Sequence, residues 1–273
     1  MNNFKMYNKC LVSNLAPHET PDTHDIKALI KKEKAMLARW TDGWNNSTET
    51  EWWYLIKEGN WDLSTLKSHD RNEINKGTRN FSCKLIEHDK YIKDMYNIYI
   101  NATKEYSNLS NNIISFDKFN TFDKKDIIVG AFDNEDNTLA AYACVFYYNS
   151  KNTSKALNLS VIKIDPAKKK KSPSAALMNY ICSYFLNEKK VDYICDGERS
   201  IRHITNFQSY LEKYFGFKKI YCRLNVVYCH KMKILINVLY PFRKIIKLIS
   251  RKNKFIYNVY CILRQEEICR TFK

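Results

Sequence analysis

The chain reads as an α/β protein built on a mixed sheet, and three observations carry that reading. Alternating apolar stretches recur between segments of helical periodicity. The run from Ala156 to Tyr228 goes strand, basic loop, helix, strand, helix, strand, the order of crossover connections in a sheet with parallel pairs. Six Gly and five Pro in 273 residues argue against repeats, collagen-like sequence and long linkers. This length holds one large domain or two small ones with a sizeable core.

Taken in order, residues 1–80 form an N-terminal portion. Asp22 or Thr23 can cap a helix through Ala35, Ala38-Arg39-Trp40 starts an extended segment, and Glu51 to Ile56 is a strand. Trp40, Trp44, Trp52, Trp53 and Trp61 are dense enough to imply packing against a neighbouring sheet, with a ligand-stacking wall as the alternative. Asp62 suits the N-cap of a helix over Leu63–Lys76, and Gly77 its stop. A core follows over residues 81–230. Phe81–Ile86 is a strand, and His88 to Tyr106 an amphipathic helix. Asp126–Phe132, Leu139–Tyr148 and Ala156–Ile164 are three meandering strands, the first two joined through the turn Asp133-Asn-Glu-Asp-Asn137. Lys168–Lys171 and Ser172-Pro173-Ser174 open a helix from Ala175 to about Glu188. Val191–Cys195 is a strand ending at Asp196-Gly197, Asn206–Tyr214 a short helix closed by Gly216-Phe217, and Lys218–Tyr228 one long last strand.

Residues 151–273 hold 26 Lys/Arg against 8 Asp/Glu, a net +18, whereas residues 1–150 are at −2. The basic excess therefore lies wholly in the second half. It favours a polyanionic partner there: cofactor phosphates, a nucleic acid or an anionic membrane surface. RNA is the weaker of these, because aromatic and basic residues are not interleaved as base stacking requires. In the tail, 231–273, Ile234, Leu235, Val238, Leu239, Phe242, Ile245, Ile246 and Ile249 recur at helical spacing among lysines and arginines, with Pro241 as a kink. That pattern suits a helix lying on a membrane surface, or one packed on the domain with a lysine-rich outer face. Nine cysteines are scattered without a C-x-x-C pair or zinc spacing, so no metal is expected. An odd count and no signal peptide in Met1–Ser13 imply a reduced, cytoplasmic setting, with association to membrane through the tail as an addition.

The element order from Phe81 to Tyr228 resembles the GNAT superfamily of acyltransferases. Tyr214-Phe-Gly-Phe217 followed by a strand is similar to that superfamily's Y-x-K-x-G-F ending. Leu66 to Gly77 resembles the K-x-R-x-x-I-x-K helix of the FemAB-like branch. Asp196 to Asn206, with Lys218 to Arg223 downstream, looks like a signature of FemAB-like proteins of cell-envelope and polysaccharide synthesis. The likeness spans Leu37 to Tyr240. It implies a GNAT-like fold with an N-terminal extension and a basic helical tail. It also implies transfer of an acyl group from acyl-CoA to an amine of a sugar or envelope precursor; FemAB-like relatives use aminoacyl-tRNA. A GNAT fold without catalysis, docked on membrane, is the other class.

The resemblance places cofactor contacts at Lys170, Lys171, Ser172, Ser174, Ala175 and Ala176, where the family has its pyrophosphate loop. Pro173 stands where that loop has Gly and removes one N–H. The family's acidic Tyr falls on Glu212, flanked by Tyr210 and Tyr214. Asp196, Glu198 and His203 follow the strand end at which open α/β sheets place ligands, and with the two tyrosines they are the catalytic candidates. Lys67, Arg71, Arg199 and Asn206 are candidates for holding the acceptor; Lys67 and Arg71 lie four apart on one helix face.

Overall fold

The computed structural model describes residues 3–105, 113–121, 126–150, 154–201, 206–250 and 253–272. The chain runs β1 (Phe4–Tyr7), β2 (Cys10–Ser13), α1 (Ile26–Lys32), β3 (Leu37–Asp42), β4 (Trp53–Glu58), α2 (Ser68–Asn80), β5 (Phe81–Ile86) and α3 (His88–Glu105). It continues through α4 (Phe116–Asn120), β6 (Ile127–Asp133), β7 (Leu139–Tyr147), β8 (Ala156–Ile164), α5 (Pro173–Ile181), β9 (Tyr193–Glu198), α6 (Phe207–Phe215), β10 (Lys218–Tyr221) and β11 (Arg223–Tyr228). Three tail helices close it: α7 (His230–Leu239), α8 (Arg243–Ser250) and α9 (Lys254–Arg270).

The strands form a seven-stranded sheet, order β10-β4-β9-β8-β7-β6-β5, and a four-stranded sheet, order β1-β2-β3-β11. All neighbours in the larger sheet are antiparallel except β8 and β9, which α5 joins as a crossover. The sheet takes β4 from within the first eighty residues, so the domain boundary expected at residue 80 does not separate the two sheets. The expected single strand Lys218–Tyr228 is two. Lys218–Tyr221 pairs with β4, and after Cys222 the chain passes to β3 in the other sheet. The Trp52 carbonyl accepts from the Cys222 N–H at 3.1 Å, which fixes the step.

The core lies between the large sheet and α5. Ala140, Ala141 and Ala143 of β7 face Ala175, Ala176, Met178 and Ile181, and small residues on both sides let the helix sit close. Gly77 is not a helix stop. It lies inside α2 where that helix crosses α5, and a Cβ there would meet the Ser172 carbonyl oxygen at 2.6 Å and the Ala176 nitrogen at 2.8 Å. The helix expected over Leu63–Lys76 is instead a 3-10 turn at Leu63–Thr65, capped by the Asp62 carboxylate, and then α2. Most of the tryptophans pack. Trp52 is buried against Ile268 and Cys269, and Trp61 stacks on Phe215 with centroids 5.4 Å apart. Burial pushes the thiols of Cys144, Cys182, Cys195 and Cys222 up to about 12, so they act as small apolar side chains.

The lysine run forms a 3-10 turn, Pro166–Lys171, rather than an open loop. Lys168 Nζ donates to Asp133 at 2.8 Å and Asp136 at 2.5 Å; Lys171 Nζ donates to Asp133 at 3.0 Å and Glu135 at 2.6 Å. Asp133 is buried, and Lys168, ahead of the hydrogen bonds from Glu135 N–H and Lys171, holds its carboxyl down at about 2. The clamp ties the α5 entry to the β6–β7 turn. The tail behaves as two parts. Its last helix, α9, packs on β11 through Ile268 and Cys269, while a 3-10 turn at Tyr240–Phe242 holding Pro241 separates α7 from α8. No helix among the described residues is long and apolar enough to cross a membrane.

Two outcomes follow. Gly77→Ala lowers stability by about 1–3 kcal/mol in denaturant unfolding, because backbone cannot yield to the new methyl and the overlap outweighs the helix-propensity gain. Lys168→Met lowers the melting temperature by several degrees at pH 7. That deficit shrinks as pH falls toward 2, because the depressed Asp133 pKa contributes stability above the unfolded carboxylate range and loses it on protonation.

Candidate active site

Strands β8 and β9 pair over only three residues: Ala156 with Tyr193, Leu157 with Ile194, and Asn158 with Cys195. Each then bulges. On β8 the pairing to β7 jumps from Leu159 to Val161, leaving Ser160 as an exposed extra residue. On β9 the pairing to β4 jumps from Cys195 to Glu198, with Gly197 at φ +90°, a conformation that favours glycine. Bulges bend the strand that carries them, so the two strands part as a fork, β8 following β7 and β9 following β4.

The opening is a cleft of about 400 Å³ lined by β8 residues 159–164, Asp196 and Phe207, with Lys169, Ala102 and Glu105 on its flank. Burial pushes the Asp196 carboxyl up to about 7, partly opposed by a hydrogen bond from Gln208. A carboxyl of that pKa in a cleft accepts a proton at neutral pH. Burial also lowers the Lys163 ammonium, whose Nζ lies 6.0 Å from the Tyr99 ring centroid. Lys169 is exposed and reaches Glu105 at 3.7 Å.

The other sequence candidates spread over several surroundings. Because of the β9 bulge, Glu198 leaves the cleft, pairs with Arg39 and lines a separate cavity with Trp40, Tyr54 and Tyr148. Arg199 turns to a third cavity, its Nη1 donating to the Glu51 carbonyl at 2.5 Å and its guanidinium over Trp53. Tyr210 is half-buried between Phe207 and Tyr214. Burial raises its hydroxyl to about 12, with Ser174 beside it lowering it slightly. Tyr214 packs at the core edge with Lys213 over its ring. Glu212 pairs with Lys219 at 3.3 Å. Lys67 is the N-cap of α2, Arg71 donates to the Ser64 carbonyl at 3.2 Å, and exposed Asn206 is the N-cap of α6; none of the three lines the cleft. His203 lies outside the described residues.

The α5 N-terminus is nearly closed as a phosphate cradle. Pro173 has no N–H, and the N–H groups of Ala175 and Ala176 are directed to the Ser172 carbonyl at 3.1 and 3.4 Å. Ser172, left-handed at φ +67°, and both alanines are buried, with Gly77 lying on them. Ser174 is left as the first-turn residue whose N–H has no backbone acceptor among the described residues. Lys171 is held in the acidic clamp, and Lys170 stays exposed. Sequence reasoning missed Ser160, Lys163, Lys169 and Phe207 as cleft residues. Their signal is weak, since a bulge leaves no mark in an alternating strand such as Ala156–Ile164.

No family model matches the sequence, and no curated protein matches it. Solved structures do match. FemX is 9% identical with a TM-score of 0.54, over 80% of this chain and 81% of that one. A conserved protein of unknown function from Bacteroides thetaiotaomicron VPI-5482 is 15% identical with a TM-score of 0.49, over 81% and 83%. A tandem GNAT protein from the clavulanic acid biosynthesis pathway is 11% identical with a TM-score of 0.43, over 81% and 75%. At these identities the likeness to FemX speaks for the fold alone: the chain has a mixed α/β fold like that of FemX, closed by C-terminal helices.

Proposed function

We propose that this chain is an acyltransferase that moves an acyl group from acyl-CoA or a similar activated donor to an amine of a sugar or cell-envelope precursor. The observation that carries this reading is Asp196, a carboxyl raised to about 7 at the fork of the two parallel strands. The acceptor nitrogen attacks the donor carbonyl carbon, the bond from that carbon to the leaving sulfur or oxygen breaks, and the ammonium proton passes to the Asp196 carboxylate. The fork frees the backbone edges of both strands to hydrogen-bond a donor, as β8 no longer pairs with β9 beyond Asn158. Lys163 and Lys169 supply positive charge to the donor.

An aminoacyl ester, as in a charged tRNA, is the second donor reading. The nearly closed α5 N-terminus favours it, because that donor brings no pyrophosphate to this helix.

The test measures transfer from acetyl-CoA and from aminoacyl-tRNA to amino sugars and amino-terminal peptides. Asp196→Asn is expected to lose at least about a hundredfold in rate while keeping its fold. The wild-type rate rises with pH to a plateau through about 7, and the variant lacks that inflection. An unchanged rate in Asp196→Asn removes Asp196 as the base. No turnover with either donor removes the acyltransferase reading and leaves a binding module.

A stability measurement checks the same group. The Asp196 pKa is raised on folding, so its favourable contribution is full below the unfolded carboxylate range near 4 and is lost as pH rises through about 7. Asp196→Asn escapes that loss. It is expected to melt about 2–4 °C above wild type at pH 8 and level with it at pH 4.

A further inference from the structure

The cavity between α8 and α9 belongs to no part of the transfer site. It has a volume of about 490 Å³ and is lined by Arg199, Arg243, Lys244, Lys247, Arg264 and Glu267, with Tyr260 and Leu263 between them. Glu267 is shared by Arg243 at 3.0 Å and Arg264 at 2.6 Å, and Glu51 serves Arg264 and Arg199. Five cations thus meet two carboxylates, leaving an excess of three positive charges. Lys244 and Lys247 have no acidic partner among the described residues.

A second, independent observation lies on the same helix. Around α8, Ile246 and Ser250 are buried inward, and Arg243, Lys244 and Lys247 border the cavity. Ile245, Leu248 and Ile249 form the remaining side. Leu248 is 73% exposed, Ile245 59% and Ile249 47%. Phe242, three residues before Ile245, continues that side at 54%, and Ile234, Leu235 and Val238 are exposed together on α7. A core helix has no use for three large apolar side chains in water beside unpaired lysines. A lipid interface satisfies both at once, because acyl chains take the apolar edge and anionic headgroups take the basic one.

We propose that α8, with the end of α7, docks this protein on a membrane bearing anionic lipid, the apolar edge inserted and a headgroup phosphate or carboxylate held in the α8–α9 cavity. Charge complementarity selects an anionic lipid surface over a zwitterionic one. The inference is independent of the transfer chemistry at Asp196.

The test is co-sedimentation of the full chain with vesicles of phosphatidylcholine alone and of phosphatidylcholine with one third phosphatidylglycerol. Truncating the tail is unsuitable, since α9 covers Trp52. Two variants confined to exposed side chains serve instead: Lys244→Glu/Lys247→Glu, and Ile245→Ser/Leu248→Ser, each checked by circular dichroism. Wild type is expected to bind the anionic vesicles at least about tenfold more tightly than the neutral ones. Each variant is expected to lose about tenfold or more, and free inorganic phosphate at millimolar concentration does not compete. Equal binding to both vesicles, or wild-type binding by the serine variant, overturns the proposal. So does displacement by free phosphate, which marks a soluble-anion site. Loss of RNA binding in the glutamate variant without any vesicle binding assigns the patch to nucleic acid instead. Concentration-dependent self-association abolished in the serine variant assigns it to a second copy of the chain.

Discussion

The structure depends on the point where β8 and β9 stop pairing. A parallel pair in the interior of a sheet ordinarily keeps its hydrogen bonds to the strand ends. Here they cease after Asn158 and Cys195, because each strand carries a bulge immediately beyond. The outer pairings with β7 and β4 continue, so the sheet splits without losing an edge. Everything that places Asp196 follows from this. The strand leaves the β8 ladder, the carboxyl sits half-buried in the opening, and Gly197 at φ +90° sends the next side chains elsewhere. Asp196, Glu198 and Arg199 are near neighbours in sequence, yet they line three different cavities.

Holding such a fork open requires a rigid surround. α5 provides it on one face, packed on the alanines of β7 and pinned at its start by Gly77 of α2 and by the Asp133 clamp. The same packing has a chemical consequence. An α5 N-terminus pressed against α2, with Pro173 at its first position, keeps few N–H groups for phosphate. A buried, well-paired carboxylate also draws off the lysines that would otherwise add charge there. Packing quality and anion binding compete for the same groups, and in this chain packing holds most of them.

Much of the fold was legible in the sequence, because hydrophobic periodicity survives in single elements. The strands Phe81–Ile86, Leu139–Tyr147 and Ala156–Ile164 and the short helix before Gly216 stand where alternation and capping put them. The split of the last strand at Cys222 was not legible, since alternation runs unbroken across it and only pairing with two different partners separates β10 from β11. Nor was the role of the lysine run. Its acidic partners lie more than thirty residues upstream in Asp133-Asn-Glu-Asp136, which as sequence is only a turn. Gly77 illustrates the same limit. A glycine near an expected helix end looks like a stop, and only the neighbouring helix reveals it as a contact. Of the candidate residues, Asp196 was legible because it follows the apolar run Val191–Cys195 ahead of a helical segment. The bulges that separate it from Glu198 and Arg199 depend on partner strands, so they left no trace in the local pattern.

The central claim, that the fork holds a carboxyl poised near neutrality, is tested most directly by carbon NMR titration. Protein labelled with carbon-13 at the aspartate carboxyls would be followed from pH 4 to 9, with the Asp196 signal assigned by its absence in Asp196→Asn. The account predicts a midpoint at about 7 for that signal. A midpoint near 4, the ordinary value for an aspartate in water, would contradict it.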